Sequence, residues 1–358
     1  MNRIISSFII LIIFCLVLSS CSSSVNVYKK EFDDIYKNIH NIPVLNSDDY
    51  YICETNIAID EAFECLFYIK SIDSILCYDN NENRLALVEL AECKLTFIED
   101  NSNIKRISNI VVSDDWIAYI VTTNDDLYSL EAYNIKSNDN RTVIKAKKDR
   151  PTYYNSVIIG DNLYYDKLYN GGISEEYDCS IFSLDLTNST EKIVCEHAVM
   201  PMNYKSNLCF VVNNSKIVTW DNGTVNELYD LKELNLYKEV SSINCSNDVL
   251  SYTYWVMSED ATYATGGGVG FVNNAKRFDF IESEKSSYPS TLEANNNYII
   301  WNETSYQYRP MFYDRLRNAF VILDKDPSFY TAYLGDDKII FCSRNNTELH
   351  IITVSCLY

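Results

Sequence analysis

Side chains that could recognise or cleave a polar ligand gather in three segments of this 358-residue chain. Residues 166–180 hold Tyr169, Glu175, Glu176 and Tyr177, and residues 258–270 hold Glu259, Asp260 and Tyr263. Residues 302–318 hold Tyr306, Tyr308, Arg309, Tyr313, Arg315 and Arg317, so three of the ten arginines fall within nine residues. Aromatic rings give contact area at small entropic cost, and a guanidinium presents a planar fork to carboxylates and hydroxyls. The set suits recognition of a glycan or a peptide. Carboxylates such as Glu175, Glu176 or Glu259 would serve glycoside cleavage if two of them stood about 5–9 Å apart. The bland alternative is that these are long, polar surface loops that tolerate insertion.

Other chemistry is thinly represented. His40, His197 and His350 are far apart, which argues against a Ser/His/Asp triad or a multi-histidine metal site. No CxxC pair occurs, so neither a zinc site nor any other metal is expected. The run Gly266-Gly267-Gly268-Val269-Gly270 imitates a dinucleotide fingerprint, but the residues after it read as a strand where a helix is required. It is therefore read as a flexible loop, and no cofactor is expected. Asp79 to Asn83 opens like a calcium loop, yet Arg84 replaces the turn glycine and Leu90 replaces the bidentate glutamate. That segment is read as a hairpin turn.

The elements that must position these residues recur along the chain. A short polar residue followed by an apolar strand begins at Asp73, Asp115, Asp161, Ser206, Asp248, Asn296 and Asp337. The third position of each unit reads Ile75, Ile117, Leu163, Leu208, Leu250, Tyr298 and Ile339; side chains two apart share one strand face. Further strands follow in each unit, as in Leu85–Leu90 and Ile181–Leu186, separated by turn-rich segments. Units of 41 to 48 residues with about four short strands predict an all-β fold, a β-propeller of about seven four-stranded blades. Degenerate units leave six or eight open. Tyr50–Ile59 precedes the first unit and is expected to complete the last blade. On this scheme the three segments connect first to second strands and emerge on one face, a candidate binding face.

Pieces such as Asp161-Asn162-Leu163-Tyr164-Tyr165 followed by Ile181-Phe182-Ser183-Leu184-Asp185-Leu186 resemble secreted bacterial propellers, namely TolB-like domains and DUF5050-type lipoproteins. The resemblance spans residues 50–358 and implies the architecture, not an activity.

The amino terminus supplies an address. Arg3 precedes the apolar run Phe8–Leu18, eleven residues long and short of the roughly 20 that a spanning helix needs. Leu18-Ser19-Ser20-Cys21 then resembles the lipobox of bacterial lipoproteins. That resemblance implies acylation of Cys21, removal of residues 1–20, and stable anchoring once two or more chains are attached. Residues 21–49 are expected to hold a serine tether and a short helix over 28–40, and residues 50–358 the propeller domain. Loss of Arg3, the leader's one charged residue, takes the net charge from −20 to −21. Such a surface repels nucleic-acid phosphates, so no nucleic-acid partner is expected. The expected partners are the membrane, through the acyl chains on Cys21, and an envelope protein or glycan bound by a monomeric propeller. The expected location is the extracytoplasmic side of the cell membrane, or the outer membrane in a Gram-negative host. A non-catalytic binding scaffold is the preferred reading, with an extracellular glycan hydrolase or lyase as its rival. Ten cysteines besides Cys15 and Cys21 permit disulfides in an exported chain, with no pairing readable from the sequence, while for those within strand-like runs, such as Cys209 and Cys342, a buried free thiol acting as a small apolar residue fits at least as well.

Overall fold

Strands buried on both faces need a neighbouring layer on each side. Here Ser74–Asp79, Trp116–Thr123 and Val249–Met257 are buried along most of their lengths, so each sheet they belong to must lie between two others. In the computed structural model the described residues are 44–46, 50–60, 62–98, 103–149, 155–168, 179–221, 223–231, 238–246, 249–273, 276–280, 289–303, 309–322, 329–335, 338–343 and 348–356. The leader, Cys21 and the helix expected over 28–40 lie outside them.

Two strands come first, β1 (Val44–Asn46) and β2 (Tyr50–Ala58). The first sheet is β3 (Phe63–Ile69), β4 (Ser74–Asp79), β5 (Arg84–Glu89) and β6 (Lys94–Phe97). The second is β7 (Ile104–Val112), β8 (Trp116–Thr123), β9 (Tyr128–Asn134) and β10 (Asp139–Lys147). The third is β11 (Ser156–Ile159), β12 (Asn162–Leu168), β13 (Cys179–Asp185) and β14 (Glu191–Cys195). The fourth is β15 (Ala198–Tyr204), β16 (Asn207–Val212), β17 (Lys216–Asp221) and β18 (Thr224–Asp230). The fifth is β19 (Lys238–Ser246), β20 (Val249–Met257), β21 (Ala264–Asn273) and β22 (Lys276–Phe280). The sixth is β23 (Pro289–Ala294), β24 (Tyr298–Glu303), β25 (Arg309–Asp314) and β26 (Ala319–Ile322), with β1 added in parallel to β26. The last is β27 (Phe329–Leu334), β28 (Lys338–Ser343) and β29 (Glu348–Cys356), completed by β2.

The fold is thus a β-propeller, with six four-stranded blades and one five-stranded sheet in a ring. The first strand of each sheet touches the sheet before it, and β27 touches β3 to complete the circle. The expected closure by Tyr50–Ile59 is present: β2 pairs antiparallel with β29 from Tyr50↔Cys356 to Ala58↔Glu348. The two ends of the domain therefore share one ladder. Val44–Asn46, inside the segment expected as a tether, is a strand instead, because β26 still has an open edge there.

The core lies in wedges between successive sheets. Ile69, Leu76 and Leu85 meet Ile107, Ile117 and Tyr119 between the first two. Ile57, Tyr333 and Ile340 meet Phe63, Ile75 and Val88 at the closing seam. The repeated third-position residues Ile75, Ile117, Leu163, Leu208 and Leu250 all face the preceding sheet. The sixth unit corrects the sequence register. Tyr298 and Ile300 pack toward the last sheet with Ala332 and Ile339. Trp301 instead joins Phe320 and Tyr313, and Tyr313 meets Phe271 of the fifth sheet at 5.9 Å. Counting from Asn297 in place of Asn296 restores the pattern, since a one-residue slip exchanges the two faces of a strand.

The innermost strands carry most of the irregularity. Six of the seven are out of step with their second strand at one point or more: β3, β7, β15, β19, β23 and β27. A bulge inserts a residue and breaks the two-residue alternation by which a strand is recognised in sequence. Turns recur with one chemistry. Tyr78 donates to Asn83 at 2.7 Å, Tyr133 to Asn138 at 2.8 Å, and Tyr313 to Asn318. All three asparagines have positive φ, which asparagine tolerates better than most residues.

The glycine run is a second correction. Gly266, Gly267, Gly268 and Gly270 lie within β21, paired with Val256, Trp255, Tyr254 and Tyr252 of β20, and do not form a loop. Gly270 is there because nothing else fits: a Cβ on it would stand 2.4–2.6 Å from the buried Tyr252 ring. Gly270→Ala is expected to destabilise the fold by about 1–3 kcal/mol, the usual cost of overpacking, read as a lower urea midpoint at unchanged slope.

Candidate functional site

Inner strands of neighbouring sheets diverge at the edge of the ring where β4 turns into β5. A cleft of about 690 Å³ opens there, bounded by β3, β7 and the β4–β5 turn. Its floor and walls combine apolar and polar groups: Phe67, Leu66 and Ile110 beside Glu64, Arg106 and the amides of Asn80, Asn83 and Asn109. Phe67 is 37% exposed, a large ring left partly in water immediately after the β3 bulge. Asn109 has φ of 50° within the β7 bulge between Ser108 and Val111, so the same irregularity shapes the opposite wall.

The cleft is anchored below by the β4–β5 turn. Asp79 accepts the N–H groups of Asn81 (3.0 Å) and Glu82 (3.3 Å) and binds Arg84 at 3.2 Å. Arg84 in turn lies over the Phe97 ring at 3.4 Å. The segment that began like a calcium loop is therefore a hairpin turn, with its first carboxylate consumed by backbone. Burial pushes the Tyr78 hydroxyl above its ordinary pKa, against the opposing pull of the Ile107 N–H and the Arg106 guanidinium. Lys105, at the rim, is held protonated by Asp126 at 2.6 Å. The site offers two rings, Phe67 and Tyr78, one acid, Glu64, and two cations, Arg106 and the Asp126-paired Lys105, across a concave surface, an arrangement for gripping a polar chain with some apolar area.

Of the residues singled out from sequence, the described ones fall at both edges of the ring. Tyr169, Glu175, Glu176, Tyr306 and Tyr308 lie outside the described residues. Arg309 begins β25 and pairs with Glu303. Tyr263 sits in the β20–β21 turn, 63% exposed, at the same edge of the ring as the cleft. Its neighbour Asp260 is spent on the turn, accepting from Ser258 and Thr262, which hold its carboxyl below the usual range. Arg315 and Arg317 belong to the β25–β26 turn, at the opposite edge, because residues 302–318 are not one loop but contain strand β25. A six-residue strand sets the two groups about 17–20 Å apart. Arg315 is structural: it donates to the carbonyls of Asn295 (2.7 Å) and Asn296 (2.8 Å) and lies over Phe271. Tyr313 is buried between Phe271 and Phe320, and burial pushes its hydroxyl to about 12. The cleft residues were missed in the sequence because bulges hide β3 and β7; the αL-tolerant asparagines were the available signal.

Polar links stitch successive sheets elsewhere in the ring. Asp166 is buried and accepts from Asn155 N and Nδ2 (both 2.7 Å) and from Met200 N (2.9 Å) across the third seam. Trp116 donates to Asp161 at 2.9 Å, and Lys338 pairs with Asp73 across the closing seam. Among the described residues, no group of three or more His, Cys, Asp or Glu gathers to hold a metal ion.

No family model matches the chain, and no curated protein does. Solved structures do share its fold. Oligogalacturonate lyase from Vibrio parahaemolyticus aligns over 85% of this chain and 96% of its own, at 11% identity and a TM-score of 0.57. Virginiamycin B lyase from Staphylococcus aureus aligns over 85% and 99%, at 11% identity and a TM-score of 0.54. A chain of the mitotic checkpoint complex aligns over 85% and 91%, at 9% identity and a TM-score of 0.53. At such identities the likeness establishes the β-propeller and nothing finer.

One seam link contains a titratable group. Glu293 on β23 accepts the Leu334 N–H at 2.7 Å, and burial raises its carboxyl from 4.5 to about 7, the hydrogen bond opposing part of the rise. Between those values the folded chain keeps a proton that the unfolded chain has lost, so stability falls as pH rises through the window. Glu293→Gln is expected to remove that slope, and urea unfolding at pH 5 and pH 8 should differ from wild type by about 1–3 kcal/mol. Equal slopes in the two proteins would exclude this role.

Proposed function

We propose that the chain is an extracytoplasmic lipoprotein, held to the membrane by acyl chains on Cys21, whose propeller is a non-catalytic scaffold for an envelope protein or a glycan. The observation that carries the binding part is the cleft between the first two sheets, with exposed Phe67, Glu64, Arg106 and Asn80 and half-buried Asn83 and Asn109 lining one concavity. Rings and forked cations at a rigid inter-sheet cleft give affinity without reorganisation, since both walls belong to hydrogen-bonded sheets. Protein assemblies use scaffolds of this fold, as in the mitotic checkpoint complex. The anchoring part rests on the spacing of Arg3, Phe8–Leu18 and Leu18-Ser19-Ser20-Cys21.

The rival reading is a glycan hydrolase or lyase, to which the shared fold of oligogalacturonate lyase lends a precedent. It would draw on Glu175, Glu176 and Glu259; of these Glu259 is described, in the exposed β20–β21 turn. Turnover of an oligogalacturonate or another glycan by the purified chain, lost in Glu259→Gln, would favour the rival.

Two measurements address the preferred reading separately. Cells fed labelled palmitate should label the wild type and not Cys21→Ala, and label retained by the variant refutes the anchor. On glycan and peptide arrays the full chain should retain a ligand that Phe67→Ala with Arg106→Ala loses by about tenfold or more, the scale of an interface hot spot. Unchanged array binding by that double variant would move the site elsewhere.

A further inference from the structure

Cys65 on β3 and Cys77 on β4 are cross-strand partners in register. Both side chains are buried in the same seam cluster, and their sulfurs approach to 3.9 Å. Directly opposed residues of an antiparallel pair have Cα atoms about 4.5–5.5 Å apart, inside the 4.4–6.8 Å span that a disulfide bridges. Closing 3.9 Å to a bond of about 2.05 Å therefore asks for side-chain rotation and no backbone movement. The pair also sits at a mechanically important place. Tyr333 of the last sheet donates to the Cys65 carbonyl at 3.2 Å, and Ile57, Tyr333 and Ile340 pack on the same cluster. A covalent link here would fix the first two strands of the domain's first complete sheet to each other, at the face on which the sheet that closes the ring packs.

We propose that Cys65 and Cys77 form a cross-strand disulfide when the chain folds in an oxidising compartment. The location rests on the export reading above; the pairing rests on the register alone. The electrons go to the disulfide of an extracytoplasmic dithiol–disulfide oxidoreductase. One cysteine thiolate attacks that disulfide, giving a mixed disulfide and one oxidoreductase thiol. The second cysteine thiolate attacks the mixed bond, forming Sγ–Sγ and releasing the other thiol. Two thiols thus lose two protons and two electrons, and one disulfide is reduced to a dithiol. The neighbouring Cys65 thiol and then burial push Cys77 well above the ordinary thiol range, so the folded pair exchanges poorly. Oxidation accordingly precedes burial, while the first sheet is still open, and the finished bond is protected from reduction.

The test uses two preparations of the full chain: one isolated from the envelope of an exporting bacterium, and one unfolded in detergent and refolded in glutathione redox buffer. Each is blocked with N-ethylmaleimide under denaturing, non-reducing conditions and digested with trypsin. Cleavage after Lys70 and Arg84 places Cys77 alone in peptide 71–84, and further cleavage at glutamates separates Cys53 from Cys65. Peptide 71–84 should appear joined to the Cys65 peptide in both preparations, and reduction should release it and lower the thermal midpoint by several degrees. Alkylated Cys77 in the refolded chain, or Cys77 joined to any other cysteine, overturns the pairing. Linkage in redox buffer with alkylated Cys77 in the envelope sample keeps the pairing and overturns the oxidising location, and with it the export reading.

Discussion

Every sheet in this protein is apolar on two faces, and that constraint governs the rest. A sheet of this kind is stable only between two neighbours, so a linear stack would leave both terminal faces in water. Closing the stack into a ring removes the ends. The closure is made by β2, which crosses from the start of the domain to complete the ladder of β29 and turns the final three strands into a full sheet. The seam it creates is as apolar as the others, with Ile57 from β2 packed in the same cluster as Phe63, Ile75 and Tyr333. Without that strand, β29 would present an unpaired edge and the closing seam would lose Ile57.

Polar residues then determine how the wedges are fastened. Asp166, Asp161 and Asp73 each reach from one sheet or turn to the next, as does Asn295, whose side-chain amide donates to Gly335 at 2.8 Å. Several of these stand at or beside the short polar residue that opens each sequence unit. In three of the units the repeat is therefore more than a strand marker: it stands at or beside a tie to the neighbouring blade. Glu293 belongs to the same class, but its link is made by a carboxylate that burial pushes toward neutrality.

The candidate site lies where regularity fails. The inner strands bulge, and between two bulged strands, β3 and β7, lies the cleft with its exposed Phe67. The three segments read from the sequence as loops of one face contain strand residues. Residues 302–318 contain β25, and the strand sends its two flanking groups to opposite edges of the ring. The arginine-rich turn was chemically conspicuous for another reason: Arg315 satisfies carbonyls at the foot of the neighbouring hairpin. The glycine run likewise marks a strand that must admit the Tyr252 ring, not a mobile connection.

The sequence alone determined the architecture, because strand alternation and unit length are local properties that survive without knowledge of partners. It also located the closing strand, since an unpartnered apolar strand before the first unit has one vacancy to fill. The tertiary structure alone decided which residues meet. Bulges in the inner strands, the one-residue slip at Tyr298 and the conversion of supposed loops into strands each change the face on which a side chain emerges. Those faces depend on pairing register and on the sheet packed opposite, which are non-local. The meeting of Cys65 with Cys77 is of the same kind: twelve residues apart in the chain, they face one another only because β3 and β4 pair in that register.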